Sequence, residues 1–145
     1  MQITATVNAG VPAGRLTDVV DLLARVALAF IFVWSGADKL FLHTAGTAQY
    51  MQAQGVPLSG LLVYAAGLVE LGGGILLAVG YRAKIAAALL AAFIVVATLV
   101  FHAFWAAPAE QALVQTVMFF KNVAMFGGLL HVVAHGTGRL ALARS

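Results

Sequence analysis

The chain has 145 residues, of which 63% are hydrophobic and only 9% are charged, and it contains no cysteine. Soluble domains carry about 25% charged residues, so this composition excludes an ordinary water-soluble globule. The lack of cysteine excludes disulfides and thiolate metal ligands. A net charge of +3 is too small an excess to indicate nucleic-acid binding. The expected solvent is therefore the lipid bilayer.

The chain begins with a polar stretch and continues with four apolar ones. Residues 1–17 lack the basic start and the short apolar core of a signal peptide, so we expect a polar N-terminal tail. A spanning helix needs about 20 mainly apolar residues to cross a hydrocarbon core of roughly 30 Å. Four stretches meet this requirement and predict four spans: 19–41, 60–80, 84–105 and 111–134.

The stretches between the spans are polar or interrupted by glycine and proline, which is typical of connectors: 43–59, 80–83 and 106–110. Helices satisfy their own backbone hydrogen bonds in lipid, and the segments are too long for barrel strands. The sequence therefore predicts an all-α integral membrane protein, a single domain over residues 1–145 built as an antiparallel four-helix bundle.

The distribution of basic residues predicts the orientation of the bundle. Lys39 is the one basic residue at the connector ends on one side, whereas the other side carries five: Arg15, Arg82, Lys84, Arg139 and Arg144. Basic residues accumulate in cytoplasmic loops. Both termini and the 80–83 connector are therefore expected in the cytoplasm.

Ionisable residues lie inside the first span, where a charge is costly. Asp21 precedes Arg25 by four residues, the favourable spacing for an ion pair on one helix face. We predict that this pair is structural, with contact between Arg25 and a ligand as the alternative.

Polar and aromatic side chains are expected to meet near the outer surface. Asp38 and Lys39 end the first span, and His102 lies three residues before Trp105 at the end of the third. Histidine exchanges protons near neutral pH, and a neighbouring carboxylate favours its charged form. These four residues predict a polar pocket with an aromatic wall that suits a small ring-shaped ligand. The alternative is that all four are interfacial anchors.

Two opposite charges are predicted at the middle of the membrane. Glu70 and Lys121 each lie about ten residues from the outer end of their spans, which places both about 15 Å deep at 1.5 Å per residue. We predict a Glu70–Lys121 ion pair with Asn122 beside it. Small residues accompany Glu70 on its helix face, so this face should pack closely: Ala66, Gly67, Gly73 and Gly74. The pair has two interpretations, a structural contact or a proton relay and ligand site.

Two histidines on the fourth span raise the question of a metal. His131 and His135 are four residues apart and share one helix face. Two ligands do not complete a zinc site, and no thiolate or nearby carboxylate is available to add a third. No metal site is predicted.

Taken in order along the chain, the short motifs resemble the DoxX family of small bacterial inner-membrane proteins. The matching segments cover about residues 19 to 135: RVALA (25–29), SGADKL (35–40), VP (56–57), ELGGG (70–74), GYR (80–82), AT (97–98), FHAFW (101–105), FKN (120–122) and GG (127–128). The resemblance implies a multi-pass protein of the bacterial inner membrane with four helices. It also implies a link to membrane oxidoreductase systems, since some DoxX relatives belong to a thiosulfate:quinone oxidoreductase or to a complex with superoxide-detoxifying partners.

Two functional hypotheses follow for a chain that consists of the membrane module. The first is the membrane subunit of an oxidoreductase system, with a peripheral redox partner and a bound quinone or small aromatic ligand but no covalent cofactor. In this hypothesis the ligand or proton-relay residues are Asp38, Glu70, His102, Trp105, Lys121 and Asn122. The second is a non-enzymatic scaffold, or a small carrier for a metabolite or protons. A four-span carrier would need to form homo-oligomers to enclose a pathway.

Overall fold

The computed structural model describes residues 13–143. Most of the predicted N-terminal tail, and Arg144, lie outside these residues. All regular structure in the described part is helical, as predicted. The elements are α1 (Ala13–Ala37), a π-helical turn (Asp38–Leu42), α2 (Thr44–Ala53), α3 (Ser59–Val79), α4 (Ala83–Phe101), a 3-10 turn (Phe104–Ala106) and α5 (Ala109–His135).

Three of the predicted spans coincide with helices that are long and apolar enough to cross a membrane. They cover Ser59–Val79, Ala83–Ala106 and Ala109–His135, with 21, 24 and 27 residues. The first predicted span falls within α1 and the π-helical turn. Helix α1 has 25 residues and carries its charged side chains in its N-terminal half.

The segment 43–59, which its composition predicts to be a connector, contains a helix. Helix α2 covers Thr44–Ala53, and Met51 on it is buried. Its sequence is polar and short, so it lacks the apolar periodicity that identifies an amphipathic helix. The turn after it uses Gly55 with a φ of +80°, a conformation that glycine adopts without steric cost.

Helices α1 and α3 cross where both lack side chains. A Cβ placed on Gly36 would lie 2.7 Å from the carbonyl oxygen of Gly67. One placed on Gly74 would lie 2.9 Å from the backbone nitrogen of Val33. The order of these contacts shows that α1 and α3 are antiparallel. The predicted close packing of the small-residue face of α3 is confirmed, because small residues allow backbones to approach.

Helix α4 packs between α3 and α5. A Cβ on Gly73 would lie 2.9 Å from Leu90, so α3 also approaches α4 closely. Asn122 on α5 donates to Thr98 on α4. The largest of the fully buried side chains belong to α3, α4 and α5: Val63, Leu77, Leu90 and Leu129. Ala29 and Phe32 of α1 pack into the same core as the last three.

Residues after α5 fold back against α1 and the end of α3, and they close one end of the molecule. The Arg25 side chain is 3% exposed, and its guanidinium donates to the carbonyl oxygens of Thr137 at 2.5 Å, Leu140 at 2.6 Å and Ala78 at 3.3 Å. The backbone nitrogen of Leu142 donates to the Val79 carbonyl oxygen at 2.9 Å. The segment 136–143 is therefore bonded to both α1 and the end of α3.

The predicted Asp21–Arg25 pair is confirmed as an electrostatic interaction but not as a direct contact. The guanidinium is directed to backbone carbonyls, while Asp21 faces Gly138, where a Cβ would lie 2.8 Å from its Oδ2. Arg25 has five N–H donors in a planar fork, and three carbonyls that would otherwise be unpaired use them. Helical spacing relates only residues on the same helix, so it indicated a local partner. It carries no information about a segment 112 residues away.

Candidate functional site

A cavity of about 560 Å³ lies among α1, α2, α3, α4 and α5. Most of its lining is aliphatic or aromatic, with Phe32, Phe93, Phe101 and Tyr50 among the larger side chains. The rings of Tyr50 and Phe101 stack with their centroids 5.7 Å apart. Seven polar side chains also line the cavity: Ser35, Lys39, Thr47, Glu70, His102, Lys121 and Asn122.

Three of these polar side chains form a connected group, here called the polar triad: Ser35, Lys39 and Glu70. The Lys39 ammonium donates to Ser35 Oγ at 2.6 Å, and the Ser35 hydroxyl donates to Glu70 Oε1 at 3.0 Å. Lys39 Nζ also lies 2.8 Å from Glu70 Oε2. Residues 35 and 39 are one helical turn apart, and the close α1–α3 crossing at Gly36 brings both to Glu70.

The prediction that Glu70 forms an ion pair with Lys121 is wrong. Glu70 is buried, as predicted, but its cation is Lys39. Lys121 lines the same cavity from α5, and its ammonium contacts Met118 Sδ at 3.4 Å. The estimated depth in the membrane favoured Lys121 over Lys39, which ends the first span, and so indicated the wrong lysine. The α1–α3 contact decides between them, because glycines let these two helices approach where the pair forms.

Asn122 and His102 extend the polar lining from α5 and from the end of α4. Asn122 Nδ2 donates to Thr98 Oγ1 at 2.9 Å, and the Thr98 hydroxyl donates to the Ile94 carbonyl oxygen. His102 Nδ1 lies 2.8 Å from Gln115 Oε1. A glutamine oxygen accepts hydrogen bonds, so this contact places a proton on Nδ1 and leaves Nε2 to serve as an acceptor in the neutral ring.

The predicted pocket of Asp38, Lys39, His102 and Trp105 is only partly formed. Lys39 and His102 line the cavity, but Asp38 and Trp105 are not among the described residues that line it. Asp38 Oδ1 is instead 2.7 Å from Nδ1 of the exposed His43, which follows the π-helical turn. Trp105 packs edge-on against Phe104 and Phe119. Tyr50 and Phe101 supply the aromatic wall instead.

Three residues of the site had not been singled out from the sequence. Ser35 connects the triad, Tyr50 stacks over the cavity, and Gln115 orients His102. The spacing of Ser35 and Lys39, four residues apart next to a glycine, was an available signal. No sequence signal indicated Tyr50, because the polar helix on which it lies was predicted to be a connector.

His131 and His135 lie apart from the cavity on an exposed face of α5. Their ring centroids are 4.3 Å apart, and His135 Nδ1 lies 3.1 Å from the His131 carbonyl oxygen. Within residues 13–143, no group of three or more metal-ligating side chains was found. The two rings pack on each other along the helix surface.

Comparison with known proteins identifies the family. The DoxX family profile matches residues 20–103. The chain belongs to the DoxX family. It is 33% identical to the inner membrane protein YqjF of Escherichia coli K12 over 130 residues, which cover 90% of this chain and 94% of YqjF. It is 28% identical to the inner membrane protein YphA of the same organism over 131 residues, 90% of this chain and 93% of YphA.

These relationships also confirm the predicted location. A DoxX-family chain with inner-membrane relatives along most of its length, and with three helices able to span a bilayer, is a multi-pass inner-membrane protein. No solved structure matches the chain. The DoxX match contains the whole polar triad, whereas Lys121 and Asn122 lie on α5, beyond the matched residues.

Proposed function

We propose that this DoxX-family protein binds a lipid-soluble quinone, or a similar small aromatic molecule, in the cavity among its helices. The observation that supports the proposal is the cavity itself. Its volume of about 560 Å³ falls in the usual range for small-molecule sites, roughly 300–1,000 Å³. Its lining is aromatic and aliphatic with a few polar groups, the composition that a flat ring with polar oxygens requires.

The polar groups match the atoms that a quinone presents. Quinone oxygens accept hydrogen bonds, and the cavity offers the Lys121 ammonium as a donor, with Lys39 held at the polar triad. The Tyr50 and Phe101 rings supply stacking surfaces. When bound, a quinone would supply the capacity to accept and release electrons and protons.

The chain's own residues then have distinct roles at the site. The polar triad keeps the Glu70 carboxylate in a fixed position through Ser35, and the Gln115 contact orients the His102 ring. A carboxylate and an imidazole that line one cavity can each hold a proton near the bound ring. Asp38 and Trp105, which lie away from the cavity, are not assigned a role in binding.

We further propose how the protein sits in the membrane. Helix α1 crosses together with α3, α4 and α5 as a four-helix bundle, and both termini lie in the cytoplasm. The buried Arg25 supports the crossing of α1, because its guanidinium is paired with the carbonyls of Ala78, Thr137 and Leu140 rather than left bare in hydrocarbon. The excess of basic residues near the termini and the 80–83 connector supports the orientation. The protein acts as the membrane subunit of an oxidoreductase system, with electrons delivered by a separate peripheral protein.

Binding of a defined quinone tests the proposed function. Detergent-purified protein should bind a decyl-substituted para-benzoquinone saturably, with one molecule per chain. Lys121→Met should weaken binding about five- to tenfold, because one neutral acceptor loses its donor. Lys84→Met is the matched control, because Lys84 lies in the first turn of α4 and is not among the residues that line the cavity. Binding is measured by quenching of intrinsic fluorescence and by equilibrium dialysis.

The opposite results would exclude the proposal. Wild-type protein that binds no quinone, or equal losses in both lysine variants, would show that the cavity is not the binding site. A membrane scaffold is then the second candidate. It is favoured by α5, the least buried of the three apolar spans, which leaves most of its surface to lipid or to another chain.

A further inference from the structure

The charges that line the cavity do not balance. Among the described residues, the lining includes two lysines, Lys39 and Lys121, but one carboxylate, Glu70. Lys39 and Glu70 neutralise each other, because the Lys39 ammonium lies 2.8 Å from Glu70 Oε2 and also donates to Ser35. The Lys121 ammonium is therefore the charge in the lining that has no opposite charge beside it.

The chain's own carboxylates are placed elsewhere. Lys121 Nζ contacts Met118 Sδ at 3.4 Å, and a thioether is an uncharged and weak acceptor. No ion pair among residues 13–143 includes Lys121. Asp18 and Asp21 lie in the N-terminal half of α1, Asp38 contacts His43, Glu70 contacts Lys39, and Glu110 lies in the first turn of α5. Eleven residues of helix separate Glu110 from Lys121, which corresponds to about 16 Å.

The position of Lys121 along α5 also separates it from lipid headgroups. Helix α5 has 27 residues, and Lys121 lies close to its middle, about 18 Å from its first residue and about 21 Å from its last. Lysine side chains reach the membrane interface from positions near the ends of a spanning helix. A counter-charge for Lys121 would therefore come from a molecule in the cavity, whose lining is mostly apolar.

We propose that the cavity favours aromatic ligands that carry one ionised acid group, and that this group pairs with Lys121. The apolar lining and the stacked Tyr50 and Phe101 rings would hold the body of the ligand. A charge in apolar surroundings is costly until it is paired, so an anion gains more from this ammonium than a neutral quinone oxygen does. The inference rests on the proposed function, since it specifies the ligand class of the same cavity.

A pair of probes of similar shape but different charge tests the selectivity. The probes are para-butylbenzoate and para-butylbenzamide, measured at neutral pH by equilibrium dialysis on detergent-purified wild-type protein. Both chambers contain the same detergent, so uptake of the probes by micelles cancels. We expect the benzoate to bind at least about tenfold more tightly than the benzamide, the usual effect of a hydrogen bond between charged groups.

Substitutions at Lys121 assign the preference to this residue. Lys121→Met removes the charge, so the preference for the benzoate should fall below about twofold. Lys121→Gln should have the same effect and serves if the methionine variant does not fold. Lys84→Met removes an equal charge outside the cavity lining and should keep the full preference. Raising NaCl to about 0.5 M should also keep it, because salt screens a partly buried pair much less than an exposed one.

The outcomes separate this inference from the proposed function. If wild-type protein binds the decyl-substituted quinone but does not prefer the benzoate to the benzamide, the charge selectivity is overturned and quinone binding stands. A preference that survives in folded Lys121→Met, or that is lost in Lys84→Met or at high salt, would assign the anion to exposed basic residues and also overturn it. If neither the quinone nor either probe binds, the proposed function itself fails.

Discussion

Gly36 determines how closely α1 approaches α3, and so the geometry of the site depends on a missing side chain. A Cβ at this position would lie 2.7 Å from the Gly67 carbonyl oxygen and 2.8 Å from Leu71 Cα. Both neighbours are backbone atoms, which cannot turn aside as a flexible side chain can. The same crossing brings Ser35 and Lys39 to Glu70.

We therefore expect Gly36→Ala to destabilise the protein by about 1–3 kcal/mol through overpacking. Gly72→Ala is the matched control on α3, because nothing lies within 4 Å of its Cβ. Alanine favours a helix more than glycine does, so this control should be neutral or stabilising by up to about 1 kcal/mol. Unfolding of detergent-purified protein with increasing SDS measures both. Equal effects of the two substitutions would contradict the close crossing.

The segment after α5 behaves as a structural element although it has no regular secondary structure. Residues 136–143 receive the Arg25 hydrogen bonds, and the Leu142 and Ala143 backbone nitrogens donate to Val79 and Gly80. Gly80 has a φ of +72°, and a Cβ there would lie 2.6 Å from the Ala141 side chain. The turn between α3 and α4 thus needs glycine both for its backbone and for this contact.

Replacing Arg25 by lysine should release this segment, although the charge is retained. A lysine ammonium is a point charge that cannot reproduce the planar fork reaching three carbonyls. We expect amide hydrogen exchange at Leu142 and Ala143 to accelerate at least about tenfold, which corresponds to about 1.4 kcal/mol or more. Arg139→Lys, at an exposed position in the same segment, is the control. Unchanged protection in Arg25→Lys would show that the segment is held by its backbone contacts alone.

At the scale of the molecule, hydropathy predicted where α3, α4 and α5 lie, because about 20 apolar residues have few alternatives to a spanning helix. The burial of Glu70 and its close packing were also predicted, since both depend on one helix face. The partner of Glu70 was not predicted. Lys39 and Lys121 are both lysines near the same cavity, and the choice between them depends on the distance between helices. The partners of Arg25 were missed for a similar reason, because periodicity describes one helix at a time.

The proposed orientation can be measured directly because the natural chain has no cysteine. Gln54→Cys lies in the exposed turn after α2, and Tyr81→Cys lies in the exposed turn between α3 and α4. A membrane-impermeant maleimide should label Cys at the first position in intact spheroplasts. It should label the second only after the membrane is permeabilised. The reverse pattern would place the termini outside.

The distance along the chain between Arg25 and its acceptors also constrains how the protein is made. Arg25 enters the growing chain 112 residues before Thr137 and 115 before Leu140. During synthesis its guanidinium therefore lacks two of its three final acceptors, and these arrive only after every spanning helix has been translated. An unpaired guanidinium is poorly tolerated in hydrocarbon. The first helix should therefore reach its final depth late, and completion of the last turn after α5 is the step that fixes it there.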